Sequence, residues 1–282
     1  MSLTTFSDLL RDSQDRRYAV GSFNAWDMLT ARSIVTTAER LRSPVIIALW
    51  QGELDFMGEK QLYAVCRSFA EDADVPAALF IDHAKEIEDI ERAIALGATS
   101  VMIDGSRFPL DENIAFTRRA AEIAHAAGVS IEGEIGVLGE ETGDDPTGSV
   151  MTDAAEARRF AAETGVDALA VAIGNAHGFY REKPELDFER LTRIREVVDT
   201  PLVLHGGTGI PDDDVRRAIG IGITKINVGA EGRKAYFDGI DEAMATGDRK
   251  DNFIHKMFPP VLKRHGAFLE RAMRLFSSDG KA

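Results

Sequence analysis

Leu202-Val-Leu-His-Gly-Gly-Thr-Gly209 is a short apolar run that ends in one histidine and opens at once into a glycine-rich turn. An apolar run bounded by a turn reads as a buried strand that stops at His205. The glycines behind it let backbone N–H groups approach an anion, and the imidazole can bind a metal. A metal ligand beside a phosphate cradle is the expectation for this stretch, and the remaining ligands have to come from elsewhere in the chain.

Outward from it, the same unit repeats. Apolar, β-prone runs fall at 18–23, 44–50, 77–81, 100–103, 129–131, 168–173, 201–204 and 224–228. Helical patterns lie between them, for example at 28–42, 87–96, 114–127, 154–164, 188–198 and 212–219. Leu96-Gly97, Ala127-Gly128, Thr164-Gly165 and Ile219-Gly220 read as helix stops followed by new strands, and Thr152 or Asp153 stands in capping position before Ala154. Eight strands alternating with helices, with no linker or shift in composition, point to one α/β domain over 1–282. The architecture expected is a (β/α)8 TIM barrel at about 18–237. A doubly wound sheet would need a fingerprint turn after its first strand, and Gly21-Ser22-Phe23-Asn24 is not one. An amphipathic lead-in (Phe6, Leu9, Leu10) precedes the barrel. A charged helical tail at about 251–282, with its helix at 261–276, is read as lying outside the core repeat. The acidic, turn-rich stretch 136–149 reads as a mobile loop over one face.

Composition narrows the function. With 33 Lys and Arg against 47 Asp and Glu the net charge is −14, which argues against a nucleic-acid-binding surface. One cysteine, Cys66, excludes an internal disulfide and a Cys-rich zinc site, and it reads as an inert core residue. No secretory signal and no membrane-spanning run are expected, so a reducing cytoplasm is the natural setting.

Polar residues collect where the runs end: Asn24, then Asp82 and His83, Asp104, Glu132 and Glu134, His177, His205 and Asn227. In a β/α barrel that face carries the active site. A single strand-terminal Asp or Asn is usually a turn former, and a single histidine is usually a hydrogen-bonded core residue. Three of only six histidines at the same end of three strands ask for a common reason. Three imidazoles with an open fourth position match a catalytic zinc, a Lewis acid able to polarise a carbonyl. Asp82, beside His83, is placed to carry a proton. Asp104 and Glu134 offer oxygen ligands to a second metal position, or orient the histidines from behind. His125, His255 and His265 fall on helices and read as surface residues. Gly206-Gly207-Thr208 after strand seven and Asn227-Val228-Gly229-Ala230 after strand eight occupy the usual phosphate position of this fold. A Schiff-base route needs a lysine at a strand's C-terminal end, and Lys225 is read as beginning strand eight, at the wrong end.

With these motifs assembled the chain resembles the class II, metal-dependent fructose/tagatose-bisphosphate aldolase family. The resemblance runs from Tyr18 to about Phe237. It rests on Gly21-Ser22-Phe23-Asn24, Ile81-Asp82-His83, Ser100-Val-Met-Ile-Asp-Gly-Ser106, Ile131-Glu-Gly-Glu-Ile-Gly136, Ala172-Ile-Gly-Asn-Ala-His-Gly178, Leu204-His-Gly-Gly-Thr-Gly209 and Lys225-Ile-Asn-Val228. It implies that Asp82 donates the proton and that His83, His177 and His205 bind Zn2+ or another divalent metal. Asp104 and Glu134 match the family's alternative metal position. Gly178, Gly206, Thr208 and Asn227 match its dihydroxyacetone phosphate pocket. The implied reaction is reversible aldol cleavage of a ketose phosphate. Partners are a phosphorylated sugar, with no nucleic acid and no membrane, in a homodimer or homotetramer; some members also use a monovalent cation, Na+ or K+, at the phosphate.

Three departures mark this sequence. Trp50, in Ala48-Leu49-Trp50-Gln51-Gly52, stands at or near the place of a small hydroxyl residue that helps bind the distal phosphate. Ala230 stands where the family often has a threonine, which removes one hydroxyl from the C1 phosphate. The family's catalytic loop glutamate matches Glu141 only across a gap. A distal-phosphate arginine is expected in the C-terminal helix, which offers Arg264, Arg271 and Arg274. Two readings compete with the aldolase: a metal-dependent sugar-phosphate isomerase or epimerase, and a non-catalytic phosphosugar-binding barrel.

Overall fold

A computed structural model of the chain describes residues 2–140, 149–180, 182–246 and 253–282. Eight parallel strands close on themselves: β1 (Val20–Asn24), β2 (Val45–Trp50), β3 (Ala77–Ala84), β4 (Ser100–Ile103), β5 (Ser130–Ile135), β6 (Ala168–Val171), β7 (Leu202–Leu204) and β8 (Ile223–Val228). Each pairs with its neighbour in sequence, and β8 returns to β1 with Lys225 opposite Val20 and Asn227 opposite Ser22. Helices fill the crossovers, so this is the (β/α)8 barrel.

Side chains alternate between the two faces of a strand. Ile47, Leu49, Leu79, Ile81, Val101, Ile103, Ile131, Leu169, Val171, Leu204 and Ile226 face outward and join the surrounding helices in one buried cluster. The alternate residues, among them Val20, Ile46, Ala48, Ala78, Phe80, Met102, Ala168, Ala170 and Val203, form a second cluster inside the barrel. The lead-in helix (Phe6–Arg16) plugs the N-terminal mouth. Phe6 packs edge-on against Phe80 with ring centres 5.7 Å apart. The Phe6 N–H donates to Ser100 Oγ at 2.8 Å, at the first residue of β4. Burying Phe6, Leu9 and Leu10 there closes one end with apolar mass and leaves the other end for polar chemistry.

The tail is more integral than its sequence suggests. The helix after β8 (Ala230–Thr246) buries only Gly232, Tyr236, Gly239 and Ala243. The last helix (Pro259–Leu275) supplies the bulk that covers β1, with Phe268 5.9 Å and Phe276 6.5 Å from Phe23. That corrects the reading of His265 as a surface residue. It is 2 % exposed, among the rings of Trp26, Tyr236 and Phe268. Positions 265, 268, 269, 272, 273 and 276 form one inward stripe at helical spacing. His125 is half-exposed and pairs with Asp167, and His255 is exposed, as expected. Cys66 is buried, and burial pushes its thiol up to about 12. No helix among the described residues is long and apolar enough to cross a membrane.

Burial pushes His265 down from 6.5 to about 4. The unfolded chain therefore takes up this proton first as pH falls, and folding stability is lost from about pH 6.5 down to about pH 4, then levels off for this group. Unfolding midpoints of the protein and of His265→Leu across that window should diverge, with the parent falling more steeply. Parallel slopes would show that His265 does not carry the acid sensitivity.

Candidate active site at the C-terminal mouth

The open end of the barrel holds a cleft of ≈ 560 Å³. Asp82, His83, Asp104, Glu134, His177 and His205 line it, as do Gly178, Gly206, Thr208, Asn227, Gly229 and Ala230, with Asn24 and Trp50 at the rim. Gly207 stays outside, where its N–H donates to the Asn227 carbonyl at 3.0 Å. Glu141 lies outside the described residues.

Period-two alternation delivers most of this set. Phe80 and Asp82 point into the barrel together, as do Glu132 with Glu134, Val203 with His205, and Lys225 with Asn227. His83 follows Asp82 directly and would face outward. It reaches the mouth because its φ is +53°, at a register shift between Ile81 and Ala84 on the β4 side. A left-handed histidine costs energy and persists only where its surroundings fix it. His177 is carried by a short parallel pair in which Ala176–His177 lies beside Gly139–Glu140. Gly206, at φ +64°, has to be glycine: a Cβ there would fall 2.0 Å from the Ala176 carbonyl oxygen.

The three imidazoles converge, with one ring nitrogen from each lying within 4.8 Å of the others. His83 Nε2 is buried with no hydrogen-bond partner, and so is Glu134 Oε2. His83 Nδ1 lies 3.4 Å from Asp104 Oδ2 and 3.9 Å from Glu134 Oε2. Asp104 is steadied by the N–H and Oγ of Ser106, at 3.1 and 2.7 Å.

This wall of carboxylates calls for a positive charge. Burial works against a charge on His83, but Asp82, Asp104 and Glu134 outweigh it and push His83 up to about 9. Burial and the nearby Asp104 push Glu134 up to about 8. Burial also opposes ionisation of Asp104, yet His83 and Ser106 hold it well below the usual carboxylate range. Burial and the neighbouring His83 lower His177 to about 4, and burial, with His83 beside it, lowers His205 well below the usual histidine value. Orphaned ligand atoms inside an acidic wall fit a divalent cation, which would take the place of the His83 proton.

Below the histidines lies a layer that the sequence reading did not identify. Glu132 has no exposure; it accepts from Lys225 Nζ at 2.8 Å and lies 2.6 Å from His205 Nε2. Lys225 also donates to Asn227 Oδ1 at 2.7 Å and sits 4.2 Å from the centre of the Phe80 ring. Asn227 Nδ2 in turn donates to Asp82 Oδ1 at 3.0 Å. Lys225 is thus an interior residue of β8 and not its first, and its amine is engaged by two acceptors. The signal was available: two glutamates two residues apart in β5 both face inward, and a barrel interior cannot hold them without a cation.

Arg264, Arg271 and Arg274 do not reach this cleft. They pair with Glu242, with Asp212 and Glu231, and with Glu270 and Asp279. Among the described residues Arg233, in the helix that follows β8, is the arginine that lines it.

Comparison with known proteins points the same way. A family model described as fructose-bisphosphate aldolase class-II matches residues 4–281. The crystal structure of the YdjI aldolase from Escherichia coli K12 superposes with a TM-score of 0.89 at 34% identity, over 99% of this chain and 99% of that one. A fructose-bisphosphate aldolase from Campylobacter jejuni aligns with a TM-score of 0.82 at 20% identity, over 100% and 97%, and shares the fold.

Removing one side of the Glu132–Lys225 pair leaves a dry, unpaired charge. Lys225→Met should lower unfolding free energy by about 3–5 kcal/mol in denaturant titrations, with part of it restored in Lys225→Met/Glu132→Gln. A loss under about 1 kcal/mol for the single variant would show that the pair contributes little.

Proposed function

Because the chain belongs to the class-II fructose-bisphosphate aldolase family, and so is an aldolase, we propose that it is a zinc enzyme which reversibly cleaves a ketose 1-phosphate into dihydroxyacetone phosphate and an aldehyde lacking a distal phosphate. The convergence of His83, His177 and His205 with unpartnered ring and carboxylate atoms carries the metal part of this reading. The exposed Trp50 carries the acceptor part.

His83, His177 and His205 would hold the ion; Asp104 and Glu134 stand as oxygen donors at its edge. An ion so held supplies a fixed positive charge beside the substrate carbonyl, where negative charge grows. His205 Nε2 lies against Glu132, which fixes the ring; Nδ1 faces the Asn227 amide at 3.3 Å and is the nitrogen that would turn to the metal. Asp82 sits 6 % exposed beside His83 and is oriented by Asn227, so it moves the proton between the sugar hydroxyl and the cleaved carbon chain. Gly178, Gly206, Thr208, Asn227, Gly229 and Ala230 line the same cleft and would take the phosphate end of the donor. A monovalent cation, Na+ or K+, beside that phosphate is part of the proposal, taken from the family resemblance. Trp50 is 46 % exposed at the cleft rim and takes the room of a distal phosphate at the acceptor end. A homodimer or homotetramer in the cytoplasm completes the proposal.

A substrate panel tests it. Fructose and tagatose 1-phosphates should be cleaved with kcat/KM at least about 10-fold above the two 1,6-bisphosphates, with release of triose phosphate, which an isomerase, an epimerase or a binding protein would not give. Preference for either bisphosphate would refute the acceptor assignment. Chelation should abolish turnover and Zn2+ restore it. Asp82→Asn should keep the metal and lose about 10²–10⁴-fold in kcat; full turnover would give the proton step to another group.

A further inference from the structure

At the acceptor end, two groups beside Trp50 have no part in the reaction so far. The helix that follows β2 (Gln51–Met57) brings Glu53 to the cleft, and the helix after β8 brings Arg233 to the same place. Glu53 Oε1 lies 3.9 Å from Arg233 Nη1, an ion pair looser than a hydrogen bond. Glu53 Oε2 is buried without any hydrogen-bond partner. Burial raises the Glu53 carboxyl, Arg233 opposes that, and Asp82 adds to it, so Glu53 stands within the field of the proton-carrying group. Arg233 also lies beside Gly229: a Cβ on that glycine would be 3.4 Å from Arg233 Nη1. The pair therefore spans from the phosphate cradle to the acceptor wall.

Building on the ketose 1-phosphate reading above, we propose that Glu53, with Arg233 opposite it, is the specificity-determining residue for the acceptor, and that the acceptor is an uncharged polyhydroxy aldehyde. A carboxylate accepts and a guanidinium donates, so together they match a vicinal diol, whose hydroxyls each give one hydrogen and take another. The Trp50 face takes the C–H side of such a chain. At 3.9 Å Glu53 Oε1 and Arg233 Nη1 are too far apart to hydrogen-bond each other, so each keeps capacity for a substrate hydroxyl entering the cleft between them. An anionic terminus meets the opposite balance. It would have to displace Glu53 from Arg233 while facing Asp82, Asp104 and Glu134 across the cleft. An apolar aldehyde would leave Glu53 unsatisfied.

Condensation with dihydroxyacetone phosphate reads this out as ratios of kcat/KM. In Glu53→Gln the preference for D-glyceraldehyde over propanal should fall about 10-fold or more, the size of one charge-assisted hydrogen bond. The ratio of D-glyceraldehyde 3-phosphate to D-glyceraldehyde should rise in the same variant, because the repelling charge is gone and Arg233 is free. The parent and Glu53→Gln should melt at similar temperatures. Both ratios within twofold of the parent, with an intact fold, would overturn the assignment. A second readout needs no turnover: arabitol should quench the tryptophan fluorescence of the metal-free protein saturably. The quench should vanish in Trp50→Phe and weaken at least fivefold in Glu53→Gln. Condensation with unchanged ratios defeats the role of Glu53 and leaves the aldolase reading standing. Specific quenching without condensation of any aldehyde defeats the aldolase reading and leaves Glu53 as a polyol ligand.

Discussion

A carboxylate with no exposure to water sits in the middle of this barrel, and Lys225 and His205 share it. Both partners matter, since a bare charge in a dry interior costs several kcal/mol. The arrangement fixes three strands at once, because Glu132 belongs to β5, His205 follows β7 and Lys225 belongs to β8. It reaches a fourth through Asn227 and Asp82. The positions of the reacting groups at the mouth are inherited from this buried layer.

That layer also divides the barrel. Below it the interior is apolar, closed by Phe6 against Phe80 and by the helix that carries Leu9 and Leu10. Above it the interior is polar and acidic, with His205 buried and His83 and His177 partly exposed at the cleft. A packed lower half gives the upper half a rigid floor, which a site built on close side-chain placement requires. The left-handed His83 is affordable only on such a floor, where packing and neighbouring carboxylates hold it against its own backbone preference.

The barrel and most of its mouth were legible in the sequence because both rest on local rules. Alternation of two set the strands, Gly stops set the crossovers, and unusual polar residues at strand ends marked the open face. What was illegible depends on distance in sequence. Glu132 and Lys225 are 93 residues apart and read singly as a strand-end acid and a misplaced lysine. His265 looked like any helix histidine until its inward stripe, 265-268-269-272-273-276, was matched to β1. Glu53 and Arg233, on helices after β2 and β8, meet only because the barrel closes. No pattern within either segment announces that meeting.

The dependence of the histidine site on the buried carboxylate is open to one direct measurement. Metal-free protein can be titrated with Zn2+ against a competing chromophoric chelator, for the parent and for Glu132→Gln, with the fold of each checked by thermal melting. The account predicts one equivalent per chain in both, with affinity in the variant weaker by about 10–100-fold, because His205 loses the partner that orients it. A folded Glu132→Gln that binds one equivalent as tightly as the parent, or a parent that binds none, would contradict it.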